Sequence, residues 1–234
     1  MKTTMTCAAA SLAALVLLSR MTHAGGMEGY GVPSNVSAYG GASVGTAIHE
    51  GACTMAGAVG TACENSDGGH KFFAGIRATP TSQGFVTTPV GIVPSTFLPT
   101  LGVEAGYMDL GESTAKGKAG RANIYDTNLS SALTANYVAA VGYLPVTPQV
   151  ELIGKAGAAF WEQKGKRDVP QDPDLTVQTT NTGTGMLLGA GAQYRVTGNI
   201  SVRGEYERLL GTAKDTPAKS DADLLSIGAV LSTL

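Results

Sequence analysis

The sequence predicts an all-β protein, an eight-stranded antiparallel up-and-down transmembrane β-barrel preceded by a cleavable signal peptide. Three observations predict this fold. Apolar residues recur at every second position, and no stretch after the N-terminus is apolar for long enough to cross a bilayer as a helix. Glycine is abundant, with 32 of 234 residues, and the mean hydropathy is only +0.09. Long polar connections alternate with short ones, which gives the predicted barrel two different ends.

The N-terminus has the pattern of a secretory signal peptide. A short apolar core from Ala8 to Leu18 ends at Thr22-His23-Ala24, which places small residues where a signal peptidase needs them. The core is too short to remain as a membrane span. We therefore predict a signal peptide over 1–24, an N-terminal segment over 25–35 and a barrel domain over 36–234.

The charge balance gives no indication of a nucleic-acid partner. Removing residues 1–24 takes away Lys2 and Arg20 and no acidic residue, so 16 basic and 18 acidic residues become 14 and 18, a net charge of −4. No polar linker divides the chain, so one domain is expected.

Two cysteines remain after removal of the signal peptide. Cys53 and Cys63 are close in sequence, and such a pair in an exported chain favours a local disulfide over a metal or redox site. We predict a Cys53–Cys63 disulfide in the first long loop.

Eight segments alternate with a period of two and are the predicted strands. They cover 36–46, 70–79, 101–109, 133–143, 150–160, 188–196, 200–206 and 225–231. Polar stretches over 50–69, 111–129, 162–182 and 211–221 are the predicted long loops. Short turns are predicted at 145–148 and 197–199. The connection over 79–99 carries four prolines, which cannot donate to a strand ladder, so no central strand is expected there.

A secreted β-sandwich would alternate in the same way, so alternation alone leaves two folds open. The long connections follow strands one, three, five and seven, whereas two of the other three are short. Membrane barrels sort their connections like this, with short periplasmic turns and long external loops. The loop pattern therefore favours the barrel.

Several segments resemble the eight-stranded outer membrane protein A-like barrel family, its barrel domain only. In order, they are 63–75, 103–111, Gly142-Tyr143-Leu144-Pro145, 189–195 and Arg203-Gly204-Glu205-Tyr206-Glu207-Arg208. The resemblance implies a place in the cell outer membrane of a Gram-negative bacterium, contact with its lipid, and insertion by the barrel-assembly machinery. Many relatives carry a peptidoglycan-binding domain after the barrel, which is not expected here.

Two features depart from the family pattern. The usual aromatic C-terminus is replaced by Leu231-Ser232-Thr233-Leu234, so a different contact with the assembly machinery is expected. The connection over 79–99 is much longer than a tight periplasmic turn.

Charged side chains fall on the face that alternation turns toward the barrel interior. An eight-stranded barrel leaves room inside only for side chains, so these groups are expected to pair with one another and close a polar lumen. A charge-gated narrow pore is the alternative. Tyrosines 107, 137, 143, 194 and 206 are expected on the outward face, near the membrane interface. The predicted lumen charge network is Arg77, Glu104, Glu151, Lys155, Arg195, Arg203 and Glu205.

No catalytic, cofactor-binding or metal site is predicted, and the protein is not expected to be an enzyme. His49 and His70 flank the first long loop. Glu50, Ser66 and Asp67 are nearby as possible partners, but the sequence places these residues only on one rim and does not indicate a nucleophile–base pair. The aspartates at 168, 172 and 174 lack calcium-loop spacing. The predicted role is structural, in envelope integrity. The alternatives are an adhesin or surface receptor acting through the external loops, and a narrow low-conductance pore.

Overall fold

The computed structural model describes residues 36–50, 58–78, 85–88, 91–94, 99–119, 125–171, 174, 176–211 and 221–233. The predicted signal peptide, the N-terminal segment, Cys53 and Asp172 lie outside the described residues. Within these ranges, no helix is long and apolar enough to cross a membrane.

The described part of the chain contains eleven strands. They are β1 (Val36–His49), β2 (Ala58–Glu64), β3 (Ser66–Ala78), β4 (Phe85–Thr88), β5 (Gly91–Pro94), β6 (Thr100–Ala119), β7 (Tyr125–Pro145), β8 (Val150–Asp168), β9 (Val177–Arg195), β10 (Ile200–Leu210) and β11 (Ala222–Ser232).

Eight of these strands close into a ring, which confirms the predicted eight-stranded antiparallel barrel. The order is β1-β3-β6-β7-β8-β9-β10-β11, and β11 pairs back onto β1. Closure gives every strand of the ring two neighbours, so its backbone groups are satisfied without water. The other three strands lie outside the ring. β2 pairs with the outer part of β6, and β4 and β5 pair with each other in a separate hairpin.

The two ends of the barrel differ as the loop pattern predicts. Tight turns join β7 to β8 and β9 to β10 at one end, which we call the turn end. At the opposite loop end, β6 to β9 are 20, 21, 19 and 19 residues long. About 9 to 11 residues suffice for a strand to cross a bilayer. These four strands therefore extend well beyond the membrane.

The prediction that 111–129 and 162–182 are loops is wrong for most of both ranges. β6 and β7 stay paired from Glu112↔Ala132 to Ala119↔Tyr125, and β8 and β9 stay paired as far as Arg167↔Val177. Part of the predicted loop over 50–69 is also β-strand, in β2 and the start of β3. A strand beyond the membrane needs no apolar face, so it lacks the alternation by which the sequence revealed the others.

Outward-facing side chains form an apolar belt around the ring. Val44, Ile76, Val103, Ile227 and Leu225 are between 52% and 64% exposed to the surroundings. Such exposure of large apolar side chains in a soluble protein would be unfavourable, whereas in a bilayer these side chains contact lipid. Alternation thus assigns the outward face correctly in most strands.

In β7 the predicted facing is wrong. Tyr137 and Tyr143 were expected on the outward face, but they are 2% and 1% exposed and point into the lumen. Both faces of β7 are apolar, with Val138 and Leu144 on the outside, so hydrophobicity alone does not distinguish them. The pairing of Glu104 with Ala139 puts both on the same inward side and sets the facing of the whole strand.

A β-bulge separates the membrane part of β6 from its outer extension. Pairing with β7 shifts between Asp109 and Glu112, and Gly111 has a φ of 72°. The Asp67 carboxylate accepts a hydrogen bond of 2.9 Å from the Glu112 N–H, and the Asp109 carboxylate accepts one of 2.9 Å from the Gly111 N–H. The bulge therefore fixes where β6 leaves the barrel wall.

Replacing Gly111 with alanine is expected to lower the free energy of unfolding by about 1 to 2 kcal/mol, because an L-residue is disfavoured at this left-handed φ. The added Cβ would also lie 2.7 Å from Asp67 Oδ2. Urea unfolding followed by the fluorescence of Trp161, the only tryptophan, measures the effect. Gly154→Ala is the matched control, since no heavy atom lies within 4 Å of its Cβ position. Equal stability of the two variants would contradict the prediction.

Asp67 gives the bulge a predictable response to acid. It lies beyond the apolar belt, where the Glu112 and Gly68 N–H groups donate to its carboxylate and lower its pKa. Because this pKa is lower in the folded protein, the contribution is present above the unfolded value of about 3.9 and is lost as the pH falls through the lowered value. The Glu112 amide proton shift should therefore stay constant down to about pH 5 and change only in stronger acid. Asp67→Asn should abolish this titration, and an unchanged curve in that variant would contradict the assignment.

Candidate functional site

The candidate site is the barrel lumen, which is filled by three layers of inward-facing side chains. At the turn end lie Arg77, Glu151 and Arg195, which we call the turn-end triad. Toward the loop end comes an outer apolar layer. Between them lies the central cluster, which consists of Lys71, Glu104, Lys155, Arg203, Glu205 and Glu207.

Glu104 receives donors from four side chains in the central cluster and its surroundings. Lys155 Nζ lies 2.8 Å from Oε1, and Arg203 NH1 lies 2.7 Å from Oε2. The hydroxyls of Tyr137 and Tyr39 donate to the same two oxygens at 2.7 and 3.1 Å. A carboxylate has about four acceptor positions, so this one is fully satisfied.

The remaining carboxylates of the central cluster bridge its two lysines. Lys71 Nζ lies 2.5 Å from Glu205 and 2.6 Å from Glu207. Lys155 Nζ lies 2.7 Å from Glu205 and 3.0 Å from Glu207. None of the six side chains is more than 2% exposed. Three cations face three anions, so the cluster carries no net charge, as burial requires.

Aromatic rings surround the cations of the central cluster. The Arg203 guanidinium lies 4.8 Å from the ring centroid of Phe73 and 5.2 Å from that of Tyr39. Lys71 Nζ lies 5.1 Å from the Phe73 centroid. Rings at these distances attract a cation through their quadrupole and exclude water. They fill the space that the ion pairs leave.

The turn-end triad is a second, smaller ionic group. Arg77 binds Glu151 with both terminal guanidinium nitrogens, at 2.9 and 3.1 Å. Arg195 NH2 lies 3.6 Å from the same carboxylate, and its side chain is 43% exposed. The Arg77 guanidinium also stacks on Tyr143, 4.9 Å from the ring centroid.

The outer layer of the lumen is apolar, and here the prediction of a polar lumen is wrong. Its members are Ala47, Met108, Leu110, Leu133, Ala159, Leu187, Leu209, Ala222 and Leu224, none of them more than 1% exposed. The predicted lumen network contained only charged residues, because large apolar residues were assigned to the lipid face in most strands. Leu110, Leu187 and Leu209 instead occupy inward positions on the loop-end side of the central cluster, within one group of buried apolar side chains.

The seven predicted lumen residues are thus divided between two groups. Glu104, Lys155, Arg203 and Glu205 meet in the central cluster, and the other three form the turn-end triad. The predicted set lacks Lys71 and Glu207, which the same alternation places inward and which complete the charge balance. Counting inward charges strand by strand would have included both.

The two histidines considered for other chemistry are not brought together. His49 faces inward with Nε2 2.9 Å from the Leu110 carbonyl oxygen, whereas His70 lies against the rings of Phe72 and Tyr107 on the outward face. Asp168 lies 3.6 Å from Lys166. Within the described ranges, no group of three or more His, Cys, Asp or Glu side chains is placed to hold a metal ion.

The pairing of Cys53 with Cys63 in a disulfide stays a prediction. Cys63 is disulfide-bonded, but the partner assigned to it by the sequence, Cys53, lies outside the described residues. The bond would tie the segment that precedes β2 in sequence to the strand that pairs with β6.

Known proteins similar to this chain share its barrel. The family model of the OmpA-like transmembrane domain matches residues 33–233. Over 135 residues the chain is 29% identical to outer membrane protein A of Shigella flexneri. This alignment covers 56% of this chain and 35% of that protein. Identity to the Klebsiella pneumoniae protein of the same name is 26% over 132 residues, or 56% and 36% of the two chains. The matched part is about a third of the length of these curated relatives.

Solved structures of similar proteins include two bacterial outer membrane proteins. The attachment invasion locus protein Ail of Yersinia pestis has a TM-score of 0.46 and 12% identity, covering 86% of this chain and 99% of that chain. OprG from Pseudomonas aeruginosa has a TM-score of 0.44 and 10% identity, covering 84% and 94%.

The closed ring, the outward apolar belt and the family match define the class of the protein. It is a transmembrane β-barrel of the outer membrane of a Gram-negative bacterium. The chain belongs to the OmpA-like transmembrane domain family. In this class the tight turns face the periplasm and the long strands face the outside of the cell.

Proposed function

We propose that the protein is a closed structural barrel that supports the integrity of the outer membrane. The observation that carries the proposal is the filled lumen, with a neutral six-residue ion cluster beneath an apolar layer. A barrel packed in this way offers no open path through the membrane region. Its immediate partners would be the surrounding lipids, together with the assembly machinery during insertion.

A variant with shortened projecting strands distinguishes a structural role from a role in surface contact. Residues 114–130 and 164–180 would each be replaced by a two-residue Asn-Gly turn, which suits an antiparallel hairpin. A strain lacking the protein should become sensitive to detergent and to large antibiotics, and both the full chain and the trimmed barrel should restore resistance. Failure of the full chain to restore resistance would refute the structural role.

A second candidate is an adhesin or receptor, favoured by the projecting part of β6 to β9. Its outward face carries polar side chains such as Lys116, Asn128 and Lys164, in place of the apolar belt. On the outer side of β9, no described strand pairs with residues 177–185, because β10 ends at Leu210↔Met186. An unpaired strand edge without charged side chains can accept a strand from another protein. Under this function the trimmed barrel would insert normally but lose attachment to a host surface.

A third candidate, a narrow pore, is disfavoured by the same lumen. Ions would have to cross the outer apolar layer and also separate buried pairs such as Lys155 and Glu104. Planar bilayers containing the full chain are expected to stay silent. Small regular current steps that change in Glu104→Gln would support the pore and count against the closed barrel.

A further inference from the structure

The periplasmic end of the lumen contains a cavity that the central cluster closes from behind. Its volume is about 260 Å³, and arginines 77, 195 and 203 line it together with Tyr143, Gln193 and Ser201. Arg203 and Tyr143 form its inner wall, where the guanidinium NH2 lies 3.3 Å from the Tyr143 hydroxyl. The packed central cluster behind this wall leaves the cavity no continuation through the barrel.

The charge in this pocket is not balanced. Arg203 belongs to the neutral central cluster, where Glu104 is its near partner at 2.7 Å. Arg77 and Arg195 share the single carboxylate of Glu151, and Arg77 occupies both of its oxygens. No carboxylate is among the described residues that line the pocket. Among the described residues, one positive charge is therefore left over, and it lies on Arg195.

The positive charge of Arg195 is available to bind an anionic ligand. Its distance of 3.6 Å to Glu151 is too long for a good hydrogen bond. Arg195 lines a space large enough for more than a water molecule. Planar guanidinium groups bind phosphate and carboxylate oxygens in pairs. The hydroxyl of Ser201, in a side chain that is 4% exposed overall, adds a neutral donor to the same wall.

The rim of the pocket is rigid, which favours binding over simple solvation of an arginine. The turn after β9 is closed by hydrogen bonds from Val196 N–H and Thr197 N–H to the Ile200 carbonyl oxygen, at 2.9 and 3.1 Å. On the other side, Ala38 N–H donates to the Thr233 hydroxyl at 3.0 Å and joins the first strand to the end of the chain. The backbone around the pocket is thus held in position before any ligand arrives.

We propose that this pocket binds an oxyanion from the periplasm, a phosphate or carboxylate group, with Arg195 as the principal partner and Arg77 behind it. The site is independent of the structural role proposed above. The group could be a small soluble anion or the headgroup phosphate of a lipid in the inner leaflet, and the chemistry of recognition is the same for both.

The test is a titration of the isotope-labelled barrel, refolded in nonionic detergent, with inorganic phosphate and with acetate at constant ionic strength. Amide signals of Gln193, Ser201 and Ser232 and the Arg195 side-chain Nε–H signal should shift and saturate. Arg195→Gln should weaken binding about tenfold or more, since a charge-assisted hydrogen bond is lost. Arg167→Gln, at an exposed position near the opposite end of the barrel, should bind like the unchanged chain.

Removing the competing carboxylate gives a second test in the opposite direction. Glu151→Gln releases Arg77 and should tighten phosphate binding, whatever the effect of the Arg195 variant on folding. Shifts that never saturate, or equal affinity in the Arg195→Gln and Glu151→Gln variants, would overturn the proposal.

A parallel titration with a short-chain phosphatidic acid distinguishes a soluble anion from a lipid headgroup, because a lipid headgroup would also shift the signals of the outward-facing Tyr194 and Ile200. Shifts at those two residues alone, with none from phosphate, would overturn it as well.

Discussion

Lys155→Ala is expected to lower the free energy of unfolding of the barrel by about 3 to 5 kcal/mol, because it leaves buried carboxylates without a partner. Lys155 lies within 3.0 Å of Glu104, Glu205 and Glu207, and its side chain is 1% exposed. Removing it leaves two cations against three anions in a space that water does not reach. Urea unfolding in lipid vesicles, followed by Trp161 fluorescence and by heat-modifiable migration, measures the loss.

The matched control is Lys164→Ala on the same strand. Lys164 also forms an ion pair, at 2.8 Å from Glu162, but the two side chains are 64% and 43% exposed. Exposed pairs of this kind contribute about 0 to 1 kcal/mol. The double variant Lys155→Met with Glu207→Gln restores equal numbers of cations and anions, so it should recover a large part of the loss. Equal losses in Lys155→Ala and Lys164→Ala would refute the role of the central cluster.

Val103→Arg is expected to destabilise the membrane-embedded barrel by about 2 to 4 kcal/mol, the cost of an arginine facing lipid near the midplane. Val103 is 52% exposed on the outward face, between Ile76 of β3 and Ala140 of β7. The same unfolding assay in vesicles measures this loss.

Thr114→Arg separates the effect of lipid from that of the substitution. Thr114 lies on the same strand beyond the bulge, on an exposed face of the projecting sheet. An arginine there meets water, so a change within about 0.5 kcal/mol is expected. A comparable loss at both positions would mean that the bilayer does not cover the apolar belt as proposed.

The ring could be predicted from sequence because lipid imposes a pattern on each strand. The alternation in β10 can be recognised without knowing which strands it pairs with. Its outward residues are Ile200, Val202 and Tyr206, and its inward charged residues are Arg203 and Glu205. The extensions of β6 to β9 could not be predicted, since water on both sides imposes no such pattern. The facing of β7 depended on its pairing with Glu104, which hydrophobicity does not encode.

The candidate site was predictable in composition but not in arrangement. Alternation placed Glu104, Lys155 and Arg203 inside, and the narrow interior required them to pair. The particular partners are 51 and 99 residues apart along the chain. Which carboxylate meets which cation is set by the stagger of the strands around the ring, and single-strand patterns carry no information on that stagger.

The seam between β1 and β11 has a consequence for how the barrel forms. Eleven residue pairs join the two strands, from Tyr39↔Ser232 to His49↔Ala222. Until they meet, β1 and β11 each present an unpaired backbone edge, and hydrocarbon cannot satisfy it. Pairing of β1 with β11 is therefore the final step of barrel folding, and it requires contacts between residues almost two hundred positions apart. Until this pairing forms, the two strand edges have to be covered by another protein. Disruption of the seam should therefore leave a sheet that is inserted in the membrane but not closed.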